Sequence, residues 1–444
     1  MIRIWASCLA ALFLLAATPG HAQVTEPQPQ GQVQIPAAAR PSADFDIERA
    51  TRAYLDTIPA AERAKSNAYF EGGYWLQLWG LLYGLGIAAL LLFGRISARL
   101  RNFAERVTRR PSLQALIYAA GYIVLITILS LPLSFYQEYF REHQYGMSNQ
   151  TFAAWVGDSA KGLLVFVIVG SLVLALIYTF VRRSQGNWWL PATVISIVSI
   201  FLLVFLAPVF ISPLFNDFRP LGAGPVRDSV LSLARANGIR VDNVYWFDAS
   251  KQTKRISANV SGFGNTMRIS LNDNLLATTS VPEIKAVMAH EMGHYVLNHS
   301  LKYLLQLGLV MGIGFALIQW AQRRLLARWG ARWDVRGPTD VAGIPLVVAL
   351  LSLWFFVMTP VTNSIIRIHE SEADIFGLNA AREPHGFAST AMRISNYRKL
   401  DPSPLEEMLM FDHPSGATRV RMAMTWLKEN PDAGAAAQPG APRQ

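Results

Sequence analysis

Residues 280–300 read SVPEIKAVMAHEMGHYVLNHS, and the string His290-Glu291-Met292-Gly293-His294 at their centre decides what the rest of the chain must supply. The stretch is patterned as a helix. Ser280 followed by Glu283 is a capping-box pair, and Pro282 suits a first turn whose N–H groups have no partner. Ile284, Val287 and Met288 are apolar enough to bury it. At helical spacing His290 and His294 lie one turn apart on one face, where two imidazoles can share a zinc ion. Glu291 stands beside them, placed to take a proton from metal-bound water. A catalytic zinc also needs a third protein ligand and an open position, so a carboxylate or His must come from elsewhere.

The chain has 444 residues, of which 52% are hydrophobic and only 16% charged. The apolar residues come in blocks, which marks a membrane protein of two or three domains. The net charge of +10 does not point to nucleic acid, because the arginines sit beside the apolar blocks and set orientation in lipid. Residues 1–22 resemble a secretory signal peptide: Arg3, an apolar run over 4–18, then Gly20-His21-Ala22 before Gln23. An uncleaved first membrane helix is the alternative. Cys8, the single cysteine, lies in this leader, so no disulfide partner and no Cys-ligated metal are expected. Residues 23–70 read as a flexible Pro/Gln/Ala-rich linker followed by an exposed helix.

Six stretches are long enough to cross about 30 Å of hydrocarbon: 74–93, 113–135, 162–181, 190–214, 301–320 and 341–361. The loops after the first, third and fifth are rich in arginine, and the short loop after the second holds only one arginine, Arg141, with Lys161, against Glu138, Glu142 and Asp158. The positive-inside rule puts the three Arg-rich loops in the cytoplasm. Residues 216–300 and 362–430 then lie across the membrane, as the secretory signal also requires. The expected fold is mainly α: a four-span part (71–215) and a two-span part (301–361), with the two halves of a mixed α/β zinc protease domain of gluzincin type between and after them. Residues 431–444 are expected to be a disordered tail.

Within the first half, 225–237 reads as an amphipathic helix, and 241–247, 255–260 and 267–271 as strands of a small sheet. An open sheet edge beside the helix of residues 280–300 can pair with an extended peptide. In the second half, Asn363, Arg367, Glu370 and Asp374 fall at steps of four, three and four, and a helix continuing from the sixth span aligns them on one face. Glu370 can be the third ligand, with Asp374 holding a ligand imidazole by its other nitrogen and Arg367 orienting the carboxylates. Spacing alone also allows Glu372 or Asp374 as the ligand. His369 points off the stripe, and His299 is expected to be solvated.

HEMGH, followed by Asn363-Ser-Ile-Ile-Arg367-Ile-His-Glu370-Ser-Glu-Ala-Asp374, resembles the integral-membrane zinc metalloproteases typified by the type I CAAX prenyl endopeptidases. Residues 131–162 (LPLSFYQEYFREHQYGMSNQTFAAWVGDSAKG) and 208–221 (PVFISPLFNDFRPL) are similar to stretches of that family, and the resemblance runs from about residue 74 to 424. It implies one zinc per chain on His290, His294 and Glu370, Glu291 as base, and a helical membrane chamber around the site. It also implies that Asn259 binds substrate backbone from a strand edge, although Val260 and Ser261 replace the usual Ala and aromatic after it. His413 matches a late His that steadies the oxyanion, with Arg419 as a further candidate. The departure is topological. The prenyl proteases are expected to act from the cytosolic side on lipidated C-terminal motifs, whereas the arginine pattern here faces the site to the periplasm of a bacterial inner membrane. The expectation is therefore a zinc endopeptidase for peptide or envelope-protein substrates. The alternatives are a non-catalytic peptide-binding or chaperone module with structural zinc, and a CAAX-type protease facing the cytosol.

Overall fold

The computed structural model describes residues 26–29, 31–184, 186–262 and 267–435. The expected leader at 1–22 and most of the expected tail lie outside them. Helices of seven or more residues are labelled in chain order. The first five are α1 (Ile47–Leu55), α2 (Ala60–Phe93), α3 (Ile96–Val107), α4 (Pro111–Ser134) and α5 (Phe152–Val181). Then come α6 (Trp189–Leu206), α7 (Pro225–Ala236), α8 (Val281–Val296), α9 (His299–Trp333) and α10 (Ile344–Val357). The last four are α11 (Thr359–Ala381), α12 (Pro384–Arg393), α13 (Pro404–Met410) and α14 (Gly416–Glu429).

Among the described residues, five helices are long and apolar enough to cross a membrane: Ala60–Phe93, Pro111–Gln144, Phe152–Val181, Trp189–Leu214 and His299–Trp333. These are the first five expected spans, the fourth within one residue of its expected bounds and the others extended by further turns at one or both ends. The sixth differs. Its apolar half is α10, and the chain bends by 58° at Met358 before α11 begins. Pro360 in the first turn of α11 explains the break, since its ring and missing N–H cannot continue the helix before it. The polar stripe therefore sits on a helix of its own, turned away from the span. The outer faces of the spans carry exposed side chains such as Leu305, Leu309 and Trp320, as contact with lipid requires.

The soluble half contains one sheet among the described residues, in the order β1 (Phe218–Pro220), β2 (Val244–Phe247), β4 (Arg268–Asn272), β3 (Ala258–Ser261). β2 and β4 are parallel, with Val244 opposite Ile269; β1 and β3 run antiparallel to their neighbours. The three expected strands are present. β1 was not anticipated, for three residues ending at a proline carry no alternation to read. Val244, Trp246, Ile269 and Leu271 bury one face of the sheet with Ile284, Met288 and Met292 of α8. β3 is left as an edge strand beside α8.

The N-terminal region is more ordered than its composition implies. Its helix is not an exposed one: α1 buries Ala50, Thr51, Tyr54 and Leu55, packing on Val420, Met424 and Leu427 of α14. Tyr54 Oη lies 2.9 Å from His385 Nδ1 on α12. Ala39 is also fully buried, and the Glu26 carboxylate accepts from the Gly222 amide at 2.9 Å. The residues preceding the first span are thus strapped to the soluble half, which puts both on one side of the bundle.

Candidate active site

α8 starts where the sequence says it should. Both halves of the Ser280–Glu283 capping box form: the Ser280 hydroxyl accepts from the Glu283 amide, and the Ser280 amide donates to Glu283 Oε2 at 2.7 Å, with the hydroxyl also donating to that oxygen. A fixed start fixes the helix phase, and His290 and His294 then face the same cavity. α11 crosses close to them because glycines face backbone. A Cβ on Gly293 would sit 3.2 Å from Ala373 Cα, and one on Gly377 would sit 3.0 Å from the His290 amide nitrogen. The close crossing delivers Glu370.

The two imidazole Nε2 atoms are 3.1 Å apart, and the Glu370 oxygens lie 3.4 Å from each. One ligand atom from each of His290, His294 and Glu370 falls within 4.8 Å of the others. The outer nitrogens are already engaged. His290 Nδ1 lies 2.8 Å from Asp374 Oδ1, and His294 Nδ1 lies 2.8 Å from His299 Nδ1. Both Nε2 lone pairs are therefore turned on one another beside a carboxylate, an arrangement that a shared cation satisfies. Burial opposes charge on His290, yet Asp374 and Glu370 outweigh it and push the imidazole up to about 10, so the surroundings demand positive charge there. Two nitrogens and a carboxylate oxygen form the donor set of a catalytic zinc site with a position left open.

Glu291 lines the same cavity, of about 320 Å³, and burial raises its carboxyl above the usual range. Ile256, Ser257 and Ala258 also line it. Asn259 is the exposed residue of β3 next along; it is on the edge strand but not among the lining residues.

Arg419, expected as an oxyanion candidate, instead does the orienting expected of Arg367. Arg419 is buried, donating from Nε to Asp374 Oδ2 at 2.8 Å and from Nη2 to Glu370 Oε2 at 3.2 Å. Arg367 does not orient the carboxylates. Its Nη1 donates to the carbonyls of Glu407, Met408 and Phe411, and Asn363 Nδ2 donates to the Leu409 carbonyl. Both brace the α13 segment that carries His413, whose Nε2 lies 3.3 Å from Glu370 Oε2 and whose Nδ1 lies 2.7 Å from Asp412.

His299 is not solvated. It is fully buried, bridging His294 to Glu372 at 3.0 Å, with its ring against His369. Asn298, in the left-handed region at φ 56°, turns the chain back after α8 and makes this possible. His299, His369 and Glu372 also cluster, but Lys302 occupies Glu372 at 2.9 Å and Gln306 engages His369 Nε2 at 2.7 Å. That second group is satisfied within the protein and does not fit a metal.

Residues 48–217 match the family model described as the CAAX prenyl protease N-terminal domain with five membrane helices, and residues 220–427 match that of peptidase family M48. The chain is 29% identical over 336 residues to the uncharacterized metalloprotease YhfN of Bacillus subtilis, covering 75% of this chain and 79% of that protein. It is 28% identical to CAAX prenyl protease 1 of Saccharomyces cerevisiae (71% and 73% covered) and 28% identical to its homolog in Arabidopsis thaliana (85% and 92%). The crystal structure of S. mikatae Ste24p superposes with a TM-score of 0.70 at 25% identity, covering 83% of this chain and 90% of that one.

Proposed function

The chain belongs to peptidase family M48 as an integral-membrane metalloprotease of the CAAX prenyl protease type, and from that premise we propose that it is a zinc endopeptidase cutting peptides or envelope proteins at a cleft facing the periplasm. The observation that carries the reading is the convergence of His290, His294 and Glu370 with Glu291 in one cavity beside an open strand edge.

In this reading His290, His294 and Glu370 hold one zinc ion, which supplies Lewis acidity and an activated water when bound. Asp374 and His299 hold the two imidazoles by their outer nitrogens, and Arg419 holds the two carboxylates. Glu291 accepts the proton of the attacking water and returns it to the departing amine. Its raised carboxyl suits that exchange better than a solvated glutamate would. Arg419 is committed to Asp374 and Glu370, so the developing oxyanion falls to His413, which needs a proton on Nε2 while Nδ1 faces Asp412. The free edge of β3, with Asn259, receives the substrate backbone as an added strand.

Glu291→Gln tests the chemistry. The expected outcome is a loss of peptide cleavage of about 10² to 10⁴-fold with zinc content and fold retained; unchanged cleavage would leave a peptide-binding or chaperone module with structural zinc as the better account.

The orientation rests on the arginine-rich loops and on the strap that joins the N-terminal arm to the soluble half. A chain whose arm is exported carries its catalytic half to the same side. Single cysteines at the exposed positions Asp242 and Arg328 test this, and labelling from outside at Arg328 but not Asp242 would reverse it.

A further inference from the structure

One cation in the cavity has no part in the chemistry above. Arg398 follows the turn Ile394–Tyr397, and its carbonyl accepts the Ser66 hydroxyl of α2 at 2.9 Å. The backbone is thereby fixed where the soluble half meets the first span. The side chain lines the cavity together with Glu291, Glu370 and His413. Its Nη1 is buried and has no hydrogen-bond partner among the described residues.

The neighbouring cations are different. Lys399 reaches Glu71 and Glu406 at 2.7 and 2.9 Å, Arg393 reaches Glu283, and Arg419 takes Asp374 and Glu370. The acids nearest Arg398 are already engaged, Glu370 by Arg419 and Asp412 by His413. Burial, reinforced by the charge of Arg419, pulls the Arg398 guanidinium below its usual range. A guanidinium donor shut away from water without an acceptor is costly unless something else completes it. What enters this cavity is substrate.

We propose that Arg398 is a docking point for a carboxylate on the substrate, so that the enzyme prefers peptides presenting a negative charge near the scissile bond. The planar fork of a guanidinium matches a carboxylate with two parallel hydrogen bonds, which neither a backbone carbonyl nor an amide side chain can offer. Two sources share this chemistry: the α-carboxylate of a nearby C-terminus, and an Asp or Glu side chain within the sequence. The inference rests on the protease reading for calling the ligand a substrate.

The test uses the full-length zinc-loaded protein in detergent and one peptide series: a neutral peptide as its C-terminal amide, the same peptide as the free acid, and amides with a single Asp at successive positions. kcat/KM is measured for each, and the dissociation constant of each is measured on the Glu291→Gln protein. The expected result is a preference of about tenfold or more for at least one carboxylate-bearing peptide over the neutral amide, equivalent to about 1.4 kcal/mol or more. That ratio falls to near one in Arg398→Gln and returns in part in Arg398→Lys. Zinc content and thermal midpoint, measured on each variant, separate lost recognition from lost fold. Preference for the free acid identifies the C-terminus as the source, and preference for one Asp position identifies an internal acid. Equal handling of all peptides by the unmodified protein, or an undiminished ratio in Arg398→Gln, would overturn the proposal. Should no peptide be cleaved at all, the protease reading fails, while the binding ratio still decides for or against Arg398.

Discussion

α8 and the segment from Ile394 to Arg419 line one cavity by opposite routes. α8 is a local construction: its capping box, proline start and one-turn histidine spacing fix the directions of three functional side chains before any tertiary contact forms. The later segment is a tertiary construction. Arg398, His413 and Arg419 come from a turn, a loop and a helix, and each reaches the cavity only because other elements hold it there. The lesson is that a motif specifies which atoms meet a metal, whereas the surrounding fold specifies what charge those atoms feel.

The largest effect that can break this contrast is expected at Arg419. Arg419→Met leaves Asp374 and Glu370 buried with an uncompensated charge, at a cost of about 3–5 kcal/mol, seen as a large fall in thermal midpoint. A fall below about 1 kcal/mol would mean that the carboxylates are held locally on α11 and the contrast is false. Next is Gly377→Ala, whose new methyl group would press on the His290 backbone. Forcing α8 and α11 apart is expected to cost about 1–3 kcal/mol and to weaken zinc binding, measured by competition with a chelator. The smallest is expected at His299→Ala, which frees the outer nitrogen of His294 and is expected to lower zinc affinity by about 10–100-fold. If affinity is unchanged, α8 alone orients its second imidazole.

What could be read from the sequence follows the same division. The spans, the start of α8 and the strands β2, β3 and β4 are all carried by composition or periodicity within a short window. Glu370 was favoured over its neighbours by the family resemblance, since spacing alone did not exclude Glu372 or Asp374; in the structure Glu372 turns to His299 and Lys302 instead. Arg367 was misread because an arginine one turn from Glu370 on the same helix looks like its partner, while the carbonyls of α13 are invisible in a linear pattern. His299 was dismissed for lying beyond the helix, and the sign that it returns is the Asn before it, a residue suited to the left-handed turn that folds it back. The bend at Met358 had a local cue in Pro360, which a search for uninterrupted apolar runs overlooks.

The bend at Met358 also bears on biogenesis. Glu370 and Arg419 are translated after the last hydrophobic segment, Glu370 on α11, which packs against α8, and Arg419 on α14, which packs against α11 and α12. A nascent chain halted anywhere before them holds two histidines and a glutamate but not the acid that completes the donor set or the guanidinium that balances it. Hydrolytic competence is thus deferred to the end of synthesis.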